Sequence, residues 1–130
     1  ISFIFMSIQL SENQISQTFP LIEEIKDKNL KIGVYTIIKE IAEEMKWDSF
    51  HDVPKNLDHE RNRSLVVHIN GVTEIALSMA EMYKRTQNLN FNKDLLLASC
   101  LLHDISKPVE CEPDTSVKKN TTSPVLPAKK

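Results

Sequence analysis

Two adjacent side chains, His103 and Asp104, follow an apolar stretch and have the chemistry to bind a divalent metal ion. Imidazole nitrogens and carboxylate oxygens suit borderline and hard divalent ions, so this pair favours Mn, Fe, Zn, Co or Mg over an ion that selects thiolates. Neighbouring residues on a helix point about 100° apart, yet both can reach an ion beside the last turn. The remaining ligands must come from elsewhere in the fold.

The His-Asp dipeptide alone is a weak signal, because the chain contains a second one at His51 and Asp52. That pair lies in a proline-containing connection, where surface exposure explains it. His103 and Asp104 instead lie at the end of an apolar segment. His68 lies on the apolar face of the preceding predicted helix. His68 is therefore the leading candidate for a further ligand, although a histidine on such a face is more often a hydrogen-bonded core residue.

Three helical patterns are expected to position these side chains. The first covers residues 30–45, the second runs from residue 58 or 62 to residue 85, and the third covers residues 92–107. On the second helix the predicted inward face comprises Leu65, His68, Val72, Ile75, Ala76 and Met79, with Met82 or Tyr83. Asn92 is a suitable N-cap for the third helix, and Pro108 ends its pattern.

Composition favours an all-α protein. Hydrophobic residues make up 41% of the 130 positions and charged residues 26%, and two glycines are too few for a turn-rich sheet protein. The net charge of −2 provides no positive field for a nucleic acid or an anionic membrane. Cys100 and Cys111 form neither a disulfide framework nor a zinc motif, which is typical of a cytoplasmic protein. The apolar run over residues 1–5 is too short to span a membrane.

The chain divides by composition into three predicted parts. Residues 1–57 form an N-terminal helical region that contains a capping box at Ser11, residues 58–107 contain the central helices, and residues 108–130 are rich in Pro, Ser, Thr and Lys. The last part has few large aliphatic side chains, so we expect a flexible tail in which Cys111 is exposed. Because the chain does not begin with Met, we also expect a fragment of a longer protein.

Two segments resemble the HD superfamily of metal-dependent phosphohydrolases: LVVHINGVTEIALSMAE at residues 65–81 and LLLASCLLHDISK at residues 95–107. The resemblance implies an all-α helical bundle of HD-domain type, incomplete at the C-terminus of this chain. It also implies that His68, His103 and Asp104 bind a divalent metal ion together with a later aspartate.

Two positions depart from the family pattern. Ser106 stands where the HDIGK form of the motif has glycine, and Asp114 is the one aspartate that follows the His-Asp pair. Asp114 is too close in sequence to serve as the later ligand. That ligand is therefore expected beyond Lys130, in agreement with a truncated chain.

The resemblance implies hydrolysis of a phosphomonoester or phosphodiester in a small, nucleotide-like substrate. Asp104 is then both a ligand and the group that orients the attacking water, and Lys107 meets a phosphate oxygen as a point charge. A purely structural alternative makes Lys107 the partner of a helix dipole. The rival class of function is a non-catalytic helical module that regulates or binds a partner. An enzyme that acts on nucleic acid is a third class, which the negative net charge of the chain disfavours.

Overall fold

Helices dominate the computed structural model, which describes residues 10–56, 60–114 and 125–127. The α-helices are α1 (Glu12–Thr18), α2 (Lys28–Glu44), α3 (Leu65–Gln87), α4 (Lys93–Leu102) and α5 (Lys107–Glu110), with 3-10 turns at Pro20–Glu24 and Phe50–Asp52. Within these ranges, four short strands form two antiparallel pairs: β1 (Pro54–Asn56) with β2 (Glu60–Ser64), and β3 (Cys111–Pro113) with β4 (Val125–Pro127). The all-α prediction is confirmed.

The first two helices begin at caps that the local sequence supplies. The Ser11 side chain accepts a hydrogen bond from the Gln14 backbone, and the Gln14 side chain accepts one from the Ser11 backbone, so the predicted capping box is present. Asp27 caps α2 in the same way, by accepting from the backbone N–H of Leu30. Each cap satisfies a backbone donor that the first helical turn leaves without a partner.

The long helix α3 differs from its prediction in both its start and its buried face. Strand β2 continues to Ser64, which caps the helix, so α3 begins later than residue 58 or 62. The buried residues are Leu65, Val66, Ile69, Thr73 and Leu77, whereas Ile75 and Met79 are 63% and 50% exposed. Apolar residues occupy more than half of the helix circumference, so two overlapping stripes fit the helical period. Packing against α4, the 3-10 turns and the β1–β2 hairpin selects one of them.

Helix α4 begins as predicted and ends earlier. Asn92 accepts a hydrogen bond from the backbone of Leu95 and is the N-cap. Leu97, Ala98 and Leu101 are buried, but the helix ends at Leu102, and residues 103–106 form turns before α5. The His-Asp pair therefore lies in the turn that follows the helix.

Residues 108–114 are packed where a flexible tail was expected. Cys111 is 6% exposed, its backbone carbonyl accepts from the Trp47 indole N–H at 3.0 Å, and strand β3 pairs with β4. The expectation of an exposed Cys111 is wrong, because Trp47 supplies apolar cover from a distant part of the sequence. The rest of the predicted tail, residues 115–124 and 128–130, lies outside the described residues, as do residues 1–9 and 57–59.

In the part of the chain that the structure describes, the buried apolar residues form one hydrophobic cluster, which extends from Ile15 to Cys111 and includes residues of the 3-10 turns as well as of the helices. The proposed boundaries at residues 57 and 107 stay a prediction. Among the described residues, no helix has the length and apolar character needed to cross a membrane. The cytoplasmic location also stays a prediction.

Candidate metal centre

Three side chains meet where α3 passes the turn after α4. His68 Nε2 lies 2.9 Å from Asp104 Oδ2, and His103 Nε2 lies 3.0 Å from the same oxygen. The two imidazole rings are 5.4 Å apart between centroids. One potential ligand atom from each residue falls within 4.8 Å of the other two, so the group is compact enough to hold a metal ion.

The positions of these side chains follow from the local structure. His68 lies one turn into α3, whose start is fixed by the Ser64 cap. His103 is the C-cap of α4, and Asp104 begins the turn that follows. Ile105 is 5% exposed and anchors that turn in the core, with its backbone N–H bonded to the Leu102 carbonyl at 3.3 Å.

The hydrogen bond of His103 to the backbone determines which of its ring nitrogens carries the proton. His103 Nδ1 lies 2.5 Å from the carbonyl oxygen of Cys100, which can only accept, so Nδ1 must be the donor. In the neutral ring Nε2 then has a lone pair, and this lone pair faces the Asp104 carboxylate at 3.0 Å. Two acceptors at this distance need a proton or a cation between them. A metal-bound histidine commonly donates its other N–H to a backbone carbonyl in this way.

The electrostatic environment of His68 also suits a metal ligand. Burial lowers the pKa of His68, while the hydrogen bond and the charge of Asp104 oppose that change. A lowered pKa favours the neutral imidazole, which is the form that binds a metal ion. The side chains of His68 and Asp104 are 16% and 24% exposed, so the group is partly buried and still open to solvent. The residues present therefore fit a divalent ion.

Lys107 lies against the β1–β2 hairpin. Its Nζ donates to the backbone carbonyl of Lys55 at 2.9 Å in a partly buried position. This bond uses one of the three N–H donors of the ammonium group, so a contact with a phosphate oxygen stays a prediction. The alternative role as a partner of the α4 dipole is weakened, because α4 ends at Leu102, five residues earlier.

The other polar candidates lie apart from this group. His51 and Asp52 are exposed, as the sequence predicted, in the 3-10 turn that Ser49 caps. Within residues 10–56, 60–114 and 125–127, the cluster of His68, His103 and Asp104 is the one set of three or more His, Cys, Asp or Glu close enough for an ion. Asp114 is not part of it.

Sequence reasoning missed Lys55 as a neighbour of the site. The positive charge of Lys55 contributes to the lowered pKa of His68, so its ammonium group is within electrostatic reach of that imidazole. Lys55 belongs to a three-residue strand whose partner strand follows later in the chain. A strand this short has no clear period of alternation, so the sequence carried no signal that placed Lys55 here.

Comparison with known proteins agrees with this geometry. A family model of the HD domain matches residues 65–123. Dihydroneopterin 2',3'-cyclic phosphate phosphodiesterase of Methanocaldococcus jannaschii is 32% identical over 95 residues, which are 68% of this chain and 38% of that protein. The 3'-5' exoribonuclease YhaM of Listeria monocytogenes is 28% identical over 101 residues, which are 76% of this chain and 29% of that protein.

The chain thus spans less than two fifths of the length of these relatives. A further YhaM exoribonuclease, from Listeria innocua, is 30% identical over 89 residues, which are 67% of this chain and 25% of that protein. No solved structure matches this chain. The family match and the arrangement of His68, His103 and Asp104 agree with each other, so this chain carries an HD domain over residues 65–123.

Proposed function

We propose that this chain provides the metal centre of a divalent-metal-dependent phosphohydrolase, with His68, His103 and Asp104 as ligands. The observation that carries the proposal is the convergence of His68 Nε2 and His103 Nε2 on Asp104 Oδ2, at 2.9 and 3.0 Å. His103 Nδ1 donates to the Cys100 carbonyl, so Nε2 is the ring nitrogen of His103 that would bind the ion.

A bound divalent ion supplies Lewis acidity, which makes water more acidic and draws charge from phosphoryl oxygens. The side chains of the site orient the reacting groups and neutralise charge. One carboxylate oxygen of Asp104 lies within 3.0 Å of a ring nitrogen of each histidine, and Asp104 is the group that would orient the attacking water. Burial lowers the pKa of His68, which favours its neutral form. Lys107, if its remaining donors reach the substrate, meets a phosphate oxygen as a fixed positive charge.

The proposed substrate is a nucleotide-like phosphodiester. One relative is named a 2',3'-cyclic phosphate phosphodiesterase and another a 3'-5' exoribonuclease. These names support a substrate with a nucleotide-type phosphate, and they make RNA a candidate that the acidic net charge had disfavoured. The metal is one of Mn, Fe, Mg, Zn or Co, since the mixed imidazole and carboxylate donors suit all of these.

Calorimetric titration with Mn²⁺ and with Zn²⁺ tests the ligand set. The protein should bind one ion, and His68→Ala and Asp104→Asn should each weaken binding by more than tenfold. His51→Ala is the matched control, because His51 is exposed and does not belong to the group of His68, His103 and Asp104. Equal metal affinity in the unsubstituted protein, His68→Ala and Asp104→Asn would refute the metal site.

Turnover is measured separately, with a 2',3'-cyclic nucleotide and a short oligoribonucleotide in the presence of Mn²⁺ or Mg²⁺. The proposal predicts metal-dependent hydrolysis that Asp104→Asn abolishes and His51→Ala retains. Stoichiometric metal binding with no hydrolysis of either substrate would contradict the enzyme assignment and favour the non-catalytic module.

A further inference from the structure

Gly71 lies in the interior of α3, beside open space. Helix interiors disfavour glycine relative to alanine, because glycine loses more backbone freedom on folding. No described glycine has a positive φ, so alanine would fit the backbone at position 71. Apart from the adjoining residues and the α3 backbone itself, no described atom lies within 4 Å of the point that a Cβ of residue 71 would occupy. The packing of the described residues therefore does not explain this glycine.

A side chain at position 71 would lie beside the metal centre. Residues three apart on a helix are surface neighbours, with Cβ positions about 5–6 Å apart, so residue 71 adjoins His68. Helical side chains lean toward the N-terminus, so a side chain at position 71 would cover the turn that carries His68. The His68 side chain is already only 16% exposed. Glycine at position 71 thus leaves the approach to His68 along α3 open.

Two exposed apolar side chains flank this open stretch of helix. Val67 and Ile75 precede and follow Gly71 by four residues, so all three lie on one side of α3. Val67 is 59% and Ile75 is 63% exposed. Eight residues separate them, which is about 12 Å along the helix axis. Val67, Gly71 and Ile75 therefore form a shallow apolar saddle without charge. A surface of this kind suits the face of a flat ring, since unstacked bases pack against apolar side chains.

We infer that this saddle binds the heteroaromatic base of a nucleotide-like substrate whose phosphate lies at the metal centre. The inference rests on the proposed phosphohydrolase function. Because His68 adjoins Gly71 on α3, a ring on the saddle and a phosphate at the metal centre can belong to one small molecule. The glycine lets the ring approach the helix backbone, and Val67 and Ile75 contact its edges. The saddle supplies affinity and does not touch the reacting atoms.

The other glycine of the chain provides a matched control. Gly33 lies inside α2, is partly exposed like Gly71, and also has no neighbouring atom within 4 Å of its would-be Cβ. Gly71→Ala and Gly33→Ala should each raise the urea midpoint by about 0.5 M, because alanine favours the helix. A lower midpoint for Gly71→Ala alone would show that protein packing requires the glycine, and it would overturn the inference.

Substrate kinetics with Mn²⁺ test the saddle directly. Gly71→Leu fills the space beside His68 and should raise KM for 2',3'-cyclic AMP by about tenfold, whereas Gly33→Leu should leave it unchanged. The kcat and the Mn²⁺ affinity should stay the same in both variants. Glycerol 1,2-cyclic phosphate has the same five-membered cyclic phosphate but no base, so its KM should not change in Gly71→Leu. An equal rise of KM for both substrates, or no rise for either, would overturn the base site.

Direct binding separates the saddle from turnover. Calorimetric titration of the Mn²⁺-loaded protein with 2',3'-cyclic AMP should give about tenfold weaker binding for Gly71→Leu. Ile75→Ala should weaken it by about fivefold, and Ile32→Ala should not, although Ile32 on α2 is 61% exposed. If no substrate turns over but these differences appear, the proposed function fails and the base site stands. Equal binding by Gly71→Leu, Ile75→Ala and their controls would overturn the base site.

Discussion

Leu101 anchors the end of α4 in the core, two residues before His103. Its side chain is fully buried, whereas Leu95 on the same helix is 54% exposed. Replacing a fully buried leucine with alanine costs about 2–5 kcal/mol, because apolar packing is removed and a cavity stays behind. For Leu101→Ala we expect about 3 kcal/mol, near the middle of that range. For Leu95→Ala we expect about 0.5 kcal/mol or less, as for most exposed positions.

Urea unfolding measures this difference. Trp47 is the only tryptophan of the chain and is 4% exposed, so its fluorescence reports on loss of the core. With a slope of about 2 kcal/mol per molar urea, Leu101→Ala should lower the unfolding midpoint by about 1.5 M and Leu95→Ala by about 0.25 M or less. The slope itself should be the same in all three proteins.

Similar midpoint shifts for the two variants would refute the packing of α4 described above, because the helix would then bury a different face. A changed slope would instead indicate an altered denatured state or a loss of two-state unfolding. The Mn²⁺ affinity of folded Leu101→Ala adds a second readout. It should fall if Leu101 holds the turn that carries His103, and it should be unchanged in Leu95→Ala.

Three further outcomes test other parts of the structure. Hydrogen bonds, the largest from Ser16, lower the pKa of Glu23 from 4.5 to about 2, so the stability they provide is present above pH 4.5 and is lost as the pH falls from 4.5 to about 2. Glu23→Gln should therefore flatten the fall of the urea midpoint over that range, and parallel curves for the two proteins would contradict the hydrogen bonds. Burial raises the pKa of the Cys111 thiol, so iodoacetamide should label Cys111 in the native protein more slowly than in urea, and equal rates by peptide mass analysis would show that it is exposed. Trp47→Phe removes the donor to the Cys111 carbonyl and should cost about 1–3 kcal/mol, measured as a lower Tm by circular dichroism; an unchanged Tm would show that this bond contributes nothing.

Much of the helical structure follows from short-range sequence patterns. The caps at Ser11 and Asn92 act on backbone groups three residues away, so the local sequence is sufficient to predict them. The apolar period predicts that helices exist, because burial of one face requires that spacing. The family pattern in the sequence also selected His68, His103 and Asp104, which the structure brings together. Their role as ligands stays a prediction.

Only the tertiary structure decided which faces and ends of these helices are used. Helix α3 has two overlapping apolar stripes, and packing of the helix into the core buries the stripe that contains Ile69 and leaves Ile75 exposed. The Cys100 carbonyl that fixes the His103 proton is a backbone group, which no residue pattern identifies. The bonds from Lys107 to Lys55 and from Trp47 to Cys111 join residues 52 and 64 positions apart. The sequence determines such periods and caps within a few residues, but contacts at these separations depend on how the whole core packs, because each surface is buried only when its distant partner is in place.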